Sequence, residues 1–339
     1  MGEHKMKKSN KYTLFTKSNL LKILLVLAIY LVVYVIVSQN LLLRQYRSVL
    51  VLIGVNVILA VSLNLITGFL GELSLGHAGF MMIGAYASAI FSKYLLGVSP
   101  NVSAFIAVLL ALLIGGLTAA LAGVIVGIPV LRLRGDYLAI VTLAFGEIVR
   151  SLSENLKITN GATGLSGIET FTNYKHFTYA FVIMVIAVVV ISNMIRSRQG
   201  RAILSVRENH IAAESMGINI SRFKLLAFVV GSFFAGIAGV IHAHNQGSIF
   251  PNEAGYNKSI DILVIVVLGG MGNIKGSIIA AIILTILPEL LRDAADYRQL
   301  LYAIVLIVMM IVNSSDKFTA IKNNMLHRLP KVNLQKKGE

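Results

Sequence analysis

Long apolar runs recur along the chain, and they limit its possible folds more than any other feature. A helix that crosses the hydrocarbon core of a bilayer needs about 20 mostly apolar residues, fewer where the span is broken or buried in a bundle. Ten runs meet that requirement, at residues 20–38, 49–66, 73–92, 102–130, 137–151, 178–195, 223–243, 259–270, 276–291 and 299–313. Composition agrees: 56% of the 339 residues are hydrophobic, 13% are charged and the mean hydropathy is +0.80, beyond what a soluble domain of this length carries. The first run is too long for the apolar core of a signal peptide and no small-residue cleavage site follows it, so it reads as a retained span. The expectation is an all-α polytopic membrane protein of about ten transmembrane helices. A basic tail (1–19) precedes the membrane domain (20–313), and a second basic tail (314–339) follows it.

Orientation follows from where the cations fall, because basic segments are held on the cytoplasmic side. With the N-terminus inside, 21 of the 30 Lys and Arg lie in inner segments. The outer segments keep Arg44, Arg47, Lys93, Arg150, Lys157, Lys175, Lys258, Arg292 and Arg298. Both tails are therefore expected in the cytoplasm of a bacterial plasma or inner membrane. The formal charge of +15 is then accounted for by loops and anionic headgroups, without nucleic acid. The chain has no cysteine, which excludes disulfides, thiolate metal sites and a Cys nucleophile.

Two apolar regions are interrupted by glycine, at TGFLGELSLGHAG (67–79) and LGGMGNIKGS (268–277). Unwound backbone at membrane depth is tolerated only where protein or a water-filled cavity satisfies its polar groups, so paired interruptions point to a translocation site. Spans 2 to 5 start outside and spans 7 to 10 start inside, so two halves of shared fold would form an inverted repeat. Within GELSLGHAGF (71–80), Gly76, Ala78 and Gly79 permit close helix approach, and Ser74 with freed carbonyls can line a path for a polar solute. Tight packing alone is the competing reading for each glycine. His77 stands between a packing role and a substrate role, and Asn56 and Asn64 can bridge helices or face the path. Glu72 is expected at the cytoplasmic edge of its span.

The glycine clusters are not nucleotide loops. A P-loop needs its Lys after the last glycine, whereas Lys275 precedes Gly276, and Gly270, Gly272 and Gly276 miss the dinucleotide spacing. Glu147 and Arg150 are spaced for an ion pair on one helix face. His242 and His244 point to different faces, which disfavours a metal site. No convergent nucleophile and base is present, so neither an enzyme nor a cofactor is expected.

From Gly200 in the inner loop 196–222 the chain reads GRAILSVRENHIAAESMGINISRFK, ending at Lys224, with a small-residue run in its middle and a helix stop at Gly217. Residues 206–216 are expected to form a short helix along the membrane face, suited to a groove on a partner protein or to lying among headgroups.

VRENHIAAESMGINISRFKLLAFVVGSFFAGIAG resembles the loop and following helix of branched-chain amino acid ABC transporter permeases of the M type. The chain is similar to that family also in GELSLGHAGFMMIGAY (71–86), LRLRGDYLAIVTLAFGEI (131–148), TNGATGL (159–165) and VLGGMGNIKGSIIAA (267–281), in the order expected. The resemblance covers about residues 50 to 291. It implies one permease subunit of an ATP-driven importer for Leu, Ile and Val, working beside a homologous second permease. The implied partners are two cytoplasmic ATP-binding subunits, an extracytoplasmic solute-binding protein and membrane lipid. By the same resemblance, 211–218 matches the helix that couples to the ATPase. Ile211, Ala212, Ala213, Met216 and Gly217 would form its contact, and Glu208 and Glu214 its polar edges. The implied path passes Asn64, Thr67, Gly68, Ser74, Gly76, His77, Gly79 and Tyr86 in one break. In the other it passes Gly269, Gly270 and Gly272. Rival readings are a related importer for urea, amides or other amino acids and, in a different class, an ion-coupled secondary transporter.

Overall fold

The computed structural model describes residues 17–39, 44–93, 104–131, 133, 135–170, 172, 177–291, 297, 303, 304 and 307. The expected last span at 299–313 and the two tails lie almost wholly outside these residues. The chain divides into two units, 1–47 and 48–339. In the first, α1 (Lys17–Ser38) exposes Leu24, Leu27 and Leu31, as a helix that is apolar all round does when lipid is its solvent.

The second unit is a helical bundle. Its elements run in order from α2 (Arg44–Asn64), whose first residues lie in unit 1, through α3 (His77–Phe91), α4 (Ala104–Val130), α5 (Asp136–Asn155) and α6 (Phe177–Arg196). Two short helices follow, α7 (Arg198–Glu208) and α8 (His210–Ser215), and then α9 (Ile220–Gln246), α10 (Tyr256–Gly269) and α11 (Ile274–Leu290). Four helical stretches among the described residues are long and apolar enough to cross a membrane: Ser48–Leu70, Phe105–Val130, Phe177–Arg196 and Ile220–Gln246. The first owes its length to a π-helical turn, Leu65–Leu70, that continues α2.

The core is the crossing of α3, α4 and α9. A methyl group at Gly84 would lie 2.5 Å from Gly236 Cα, one at Gly239 would overlap the Met81 carbonyl oxygen, and one at Gly236 would meet the Gly115 carbonyl. Backbones this close exchange dispersion contacts that larger side chains would prevent, which is the main attraction between helices where lipid is as apolar as leucine. Phe80, fully buried, fills the space beside this crossing against Phe145 (ring centroids 4.7 Å apart) and Phe228 (5.4 Å). The opposite face of α4 exposes Phe105, Leu109, Leu113, Leu117 and Leu121 at helical spacing, as a lipid-facing stripe does.

One end of the bundle is closed by a two-residue antiparallel sheet, β1 (Leu165–Ser166) on β2 (Ser248–Ile249), with Leu165 opposite Ile249. It packs over Met82, Tyr86 and Val149. The other end holds both glycine interruptions and the loop from α7 to α9.

Two expectations are corrected here. The third run begins as a helix at His77 and not at 73, because Gly71 adopts φ +82°, a left-handed conformation that ends the π turn, and residues 71–76 are not helical. The short helix expected at 206–216 is two helices. Asn209 is extended, and its side-chain oxygen accepts from the amides of Ile211 (3.0 Å) and Ala212 (3.1 Å), so it caps a new helix where a single one was expected.

Candidate functional site: the two helix breaks and the loop beneath them

The first break follows α2, where the helix opens into a π turn and then into residues 71–76 before α3 begins. The second is the four-residue link between α10 and α11, where Gly270 and Gly272 have positive φ and Asn273 restarts the helix by accepting from the Gly276 amide at 3.2 Å. The structure brings these two breaks together. Asn64 accepts from the Gly272 amide (2.8 Å) and donates to Ser277 Oγ (2.9 Å), so one buried side chain satisfies a freed amide and ties α2 to α11. Further along the same two helices, Asn56 donates to Thr285 Oγ1 at 2.8 Å. Both asparagines are thus interhelical bridges. Gly68 leaves no room between Asn64 and Gly272 for a side chain, and Gly269 packs on Gly276 and Ser277 with the same closeness. Thr67 is turned into its own helix, its hydroxyl donating to the Leu63 carbonyl at 3.0 Å.

Around the start of α3 the polar groups are drawn from three other helices. His77 Nε2 meets Ser62 Oγ at 2.8 Å, the Leu75 amide donates to Thr142 Oγ1 at 3.0 Å, and the Ala78 amide donates to Ser259 Oγ at 3.2 Å. Gly76 sits against the Thr142 carbonyl and Gly79 against Gly146 and Phe145. Amides at the start of a helix lack internal partners, so hydroxyls from α5 and α10 supply them. Ser74 Oγ and His77 Nδ1 are buried with no hydrogen-bond partner in the protein. Buried polar atoms of that kind are suited to water or a polar solute. Tyr86, assigned to the same stretch from sequence, lies apart from the breaks in the cluster under the two-residue sheet.

Beneath the breaks lies the loop. α7 starts from a Ser197 cap, and α8 rests against α7 and the start of α9. Ile211 and Met216 are 71% and 81% exposed, Glu208, Ala212, Glu214 and Gly217 are exposed beside them, and Ala213 is only 4% exposed, turned towards its own chain. Gly217, at φ +79°, ends α8 and lets Ile218 donate back to the Ala213 carbonyl at 3.1 Å.

Three residues at this site have partners that sequence reasoning missed. Arg207, in the last turn of α7, donates from Nη1 to the Gly68 carbonyl at 2.7 Å, an oxygen in the last turn of the opened helix. Glu72, in the unwound segment, forms an ion pair with Lys224 at the start of α9, and both side chains are 12% exposed. Charge alone marks these residues in sequence; their pairing spans 139 and 152 residues and has no local signature.

At the sheet end, Arg150 reaches Glu147 (3.2 Å) and Glu154 (3.0 Å), as the spacing suggested for the first pair. Glu147 also accepts from the Tyr256 amide at 3.0 Å. His242 meets Glu253 at 3.0 Å and His244 meets the Glu169 carbonyl at 2.6 Å, so the two histidines have separate partners. Among the described residues no group of His, Asp and Glu could hold a metal ion.

Comparison with known proteins bears directly on this arrangement. Residues 45–313 match the family described as branched-chain amino acid transport system / permease component. The chain is 39% identical over 288 residues to the high-affinity branched-chain amino acid transport system permease protein LivM of Escherichia coli K12. That alignment takes in 75% of this chain and 65% of the relative, so the chain spans less than two thirds of that relative's length. The LivH permease protein of the same organism is 32% identical over 136 residues, covering 39% of this chain and 44% of its own. The ribose import permease protein RbsC of Escherichia coli K12 is 27% identical over 324 residues, covering 88% of this chain and 96% of its own. No solved structure matches. A match across 45–313, taking in both breaks and the loop between α7 and α9, makes this chain a member of the branched-chain amino acid transport permease family.

Proposed function

We propose that the chain is the membrane-spanning permease subunit of an ATP-driven importer for branched-chain amino acids. On this reading it pairs with a homologous permease, two cytoplasmic ATP-binding subunits hydrolyse the nucleotide, and an extracytoplasmic binding protein delivers Leu, Ile or Val. The chain lies in a bacterial inner membrane with both termini in the cytoplasm, and the break end faces the cytosol. The membrane domain is 20–313 with about ten spans, and 1–19 and 314–339 are cytoplasmic tails. The inverted repeat rests on span order alone, since the two breaks meet at one end and are not equivalent positions of an inverted pair.

The observation that carries the reading is α8. A six-residue helix capped by Asn209 holds Ile211, and Met216 follows directly at its end before Gly217, so two large apolar side chains stand away from the bundle on the loop that also grips the helix breaks. Exposed apolar side chains on a rigid capped helix fit a groove in a partner. ATP-driven closure of the partners moves α8, and the breaks give way to expose a path past Ser74, His77 and the backbone of Gly68, Gly270 and Gly272. Helix ends there present fixed dipoles to the charged ends of an amino acid, while the apolar walls suit its side chain.

The test is uptake of labelled leucine into vesicles holding the assembled transporter, with Ile211→Asp and Met216→Asp beside wild type. ATP-dependent uptake lost in both variants, at unchanged amounts of permease in the membrane, is the expected result. Uptake driven by a proton or sodium gradient without ATP would overturn it in favour of a secondary transporter. ATP-dependent uptake of ribose, urea or an amide in place of leucine would keep the machinery and change the cargo.

A further inference from the structure

Arg207 and Lys224 stand on either side of α8 in sequence, and both reach the first helix break. Arg207 comes shortly before Asn209, the cap of α8, and grips the Gly68 carbonyl at 2.7 Å. Lys224 lies in the first turns of α9, which Asn219 caps, and pairs with Glu72. A methyl built on Gly71, between the two gripped residues, would lie 2.9 Å from Arg207 Cγ, so the aliphatic stem of the arginine rests on that glycine. A methyl built on Gly272, in the second break, would lie 3.3 Å from Arg207 Nη1. A single guanidinium therefore stands against both breaks, and it does so from the last turn of α7, where a cation also meets the negative end of its own helix. Above this contact, Ser74 and His77 are buried with unpartnered polar atoms, closed off from the break end.

We infer that Arg207 on the Gly68 carbonyl and Lys224 on Glu72 form a two-point latch that holds the break end shut and releases it when α8 is displaced. The inference rests on the proposed reading of α8 as the point where the partners push. Both contacts are directional and single, and both move with the segments flanking α8. Shifting α8 pulls on the end of α7 at Arg207 and on the first turns of α9 at Lys224, while the close packing of α9 at Gly236 and Gly239 lies further along that helix. Arg207, Lys224 and Glu72 act here as positioning residues.

The chain has no native cysteine, so a single introduced one reports its surroundings cleanly. Ser74→Cys is placed in the full chain, in inside-out vesicles, and its rate of reaction with a membrane-impermeant thiol reagent is measured. Arg207→Ala is expected to raise that rate about tenfold, within the range by which coupled sites affect one another. Arg207→Lys, which keeps the cation, is expected to restore most of the protection. Glu72→Lys alone is expected to raise the rate as well, and Glu72→Lys with Lys224→Glu to bring it back. Equal rates in wild type and Arg207→Ala would overturn the latch, and so would a double exchange no better than its parent. These rates need no ATPase, so they stand or fall apart from the uptake experiment. In the assembled transporter the matching result is leucine moved per ATP hydrolysed falling about tenfold in Arg207→Ala while hydrolysis stays within about twofold of wild type. Uptake and hydrolysis falling together in proportion would mark a merely structural residue.

Discussion

The crossing of α3, α4 and α9 and the meeting of the two helix breaks are built from the same residue, glycine, to opposite ends. In the crossing, Gly84, Gly236 and Gly239 bring continuous helices into backbone contact, and the backbone groups there keep their partners within each helix. At the breaks, Gly68, Gly71 and Gly272 bring unwound segments together, and the backbone groups so freed are met by a few side chains: Asn64, Arg207, Thr142 and Ser259. Dispersion over a broad surface cannot be released in part, whereas single hydrogen bonds can be exchanged one at a time. The first region is therefore suited to staying whole and the second to opening, as the proposed transport cycle requires.

The sharpest way to break that contrast is Gly239→Leu. Its side chain would overlap the Met81 carbonyl in the crossing, and overpacking of this kind costs about 3 kcal/mol or more. The expected outcome is little folded protein after detergent extraction, read by yield and thermal unfolding. Next comes Asn64→Ala, which removes two interhelical hydrogen bonds. In membrane proteins these are worth about 0.6 to 1 kcal/mol each, so the loss is about 1 to 2 kcal/mol in a thermal unfolding assay, with the protein still folded. A larger loss of stability there than in Gly239→Leu would erase the contrast. Smaller again is Asn209→Ala, which removes the cap of α8 and costs about 1 kcal/mol locally. Faster hydrogen exchange at the amides of Ile211 and Ala212, by about fivefold, with an unchanged global unfolding temperature, is the outcome that fits. Smallest is Leu117→Val on the lipid face of α4, expected to shift stability by no more than about 0.5 kcal/mol.

Much of this was legible in the sequence, and the boundary between what was and was not follows the range of the interactions. Long apolar runs mark helices because a helix meets its backbone hydrogen bonds within one segment, so the helices α2, α4, α6, α9, α10 and α11 stand within a few residues of where the runs placed them. The glycine interruptions were visible as interruptions, and Gly217 as a stop. Asn209 could have been read as a cap, since Asn just ahead of a small-residue run is an N-cap signature, but the stop at Gly217 was the one helix boundary read in this segment. What the sequence could not disclose is that the two breaks meet, because Asn64 and Gly272 are 208 positions apart and neither carries a mark of its partner. Ala213 shows the same limit from the other side. It reads as part of an exposed small-residue face, and only the placement of α8 on α7 and α9 turns it inward.

The account depends above all on α8 standing in the cytosol as the place where partner subunits act. The direct test is Met216→Cys in the otherwise cysteine-free chain, labelled with a membrane-impermeant maleimide from each side of the membrane. The account predicts labelling in inside-out vesicles alone, and protection once the ATP-binding subunits are bound. Labelling from the outside of intact cells would contradict it.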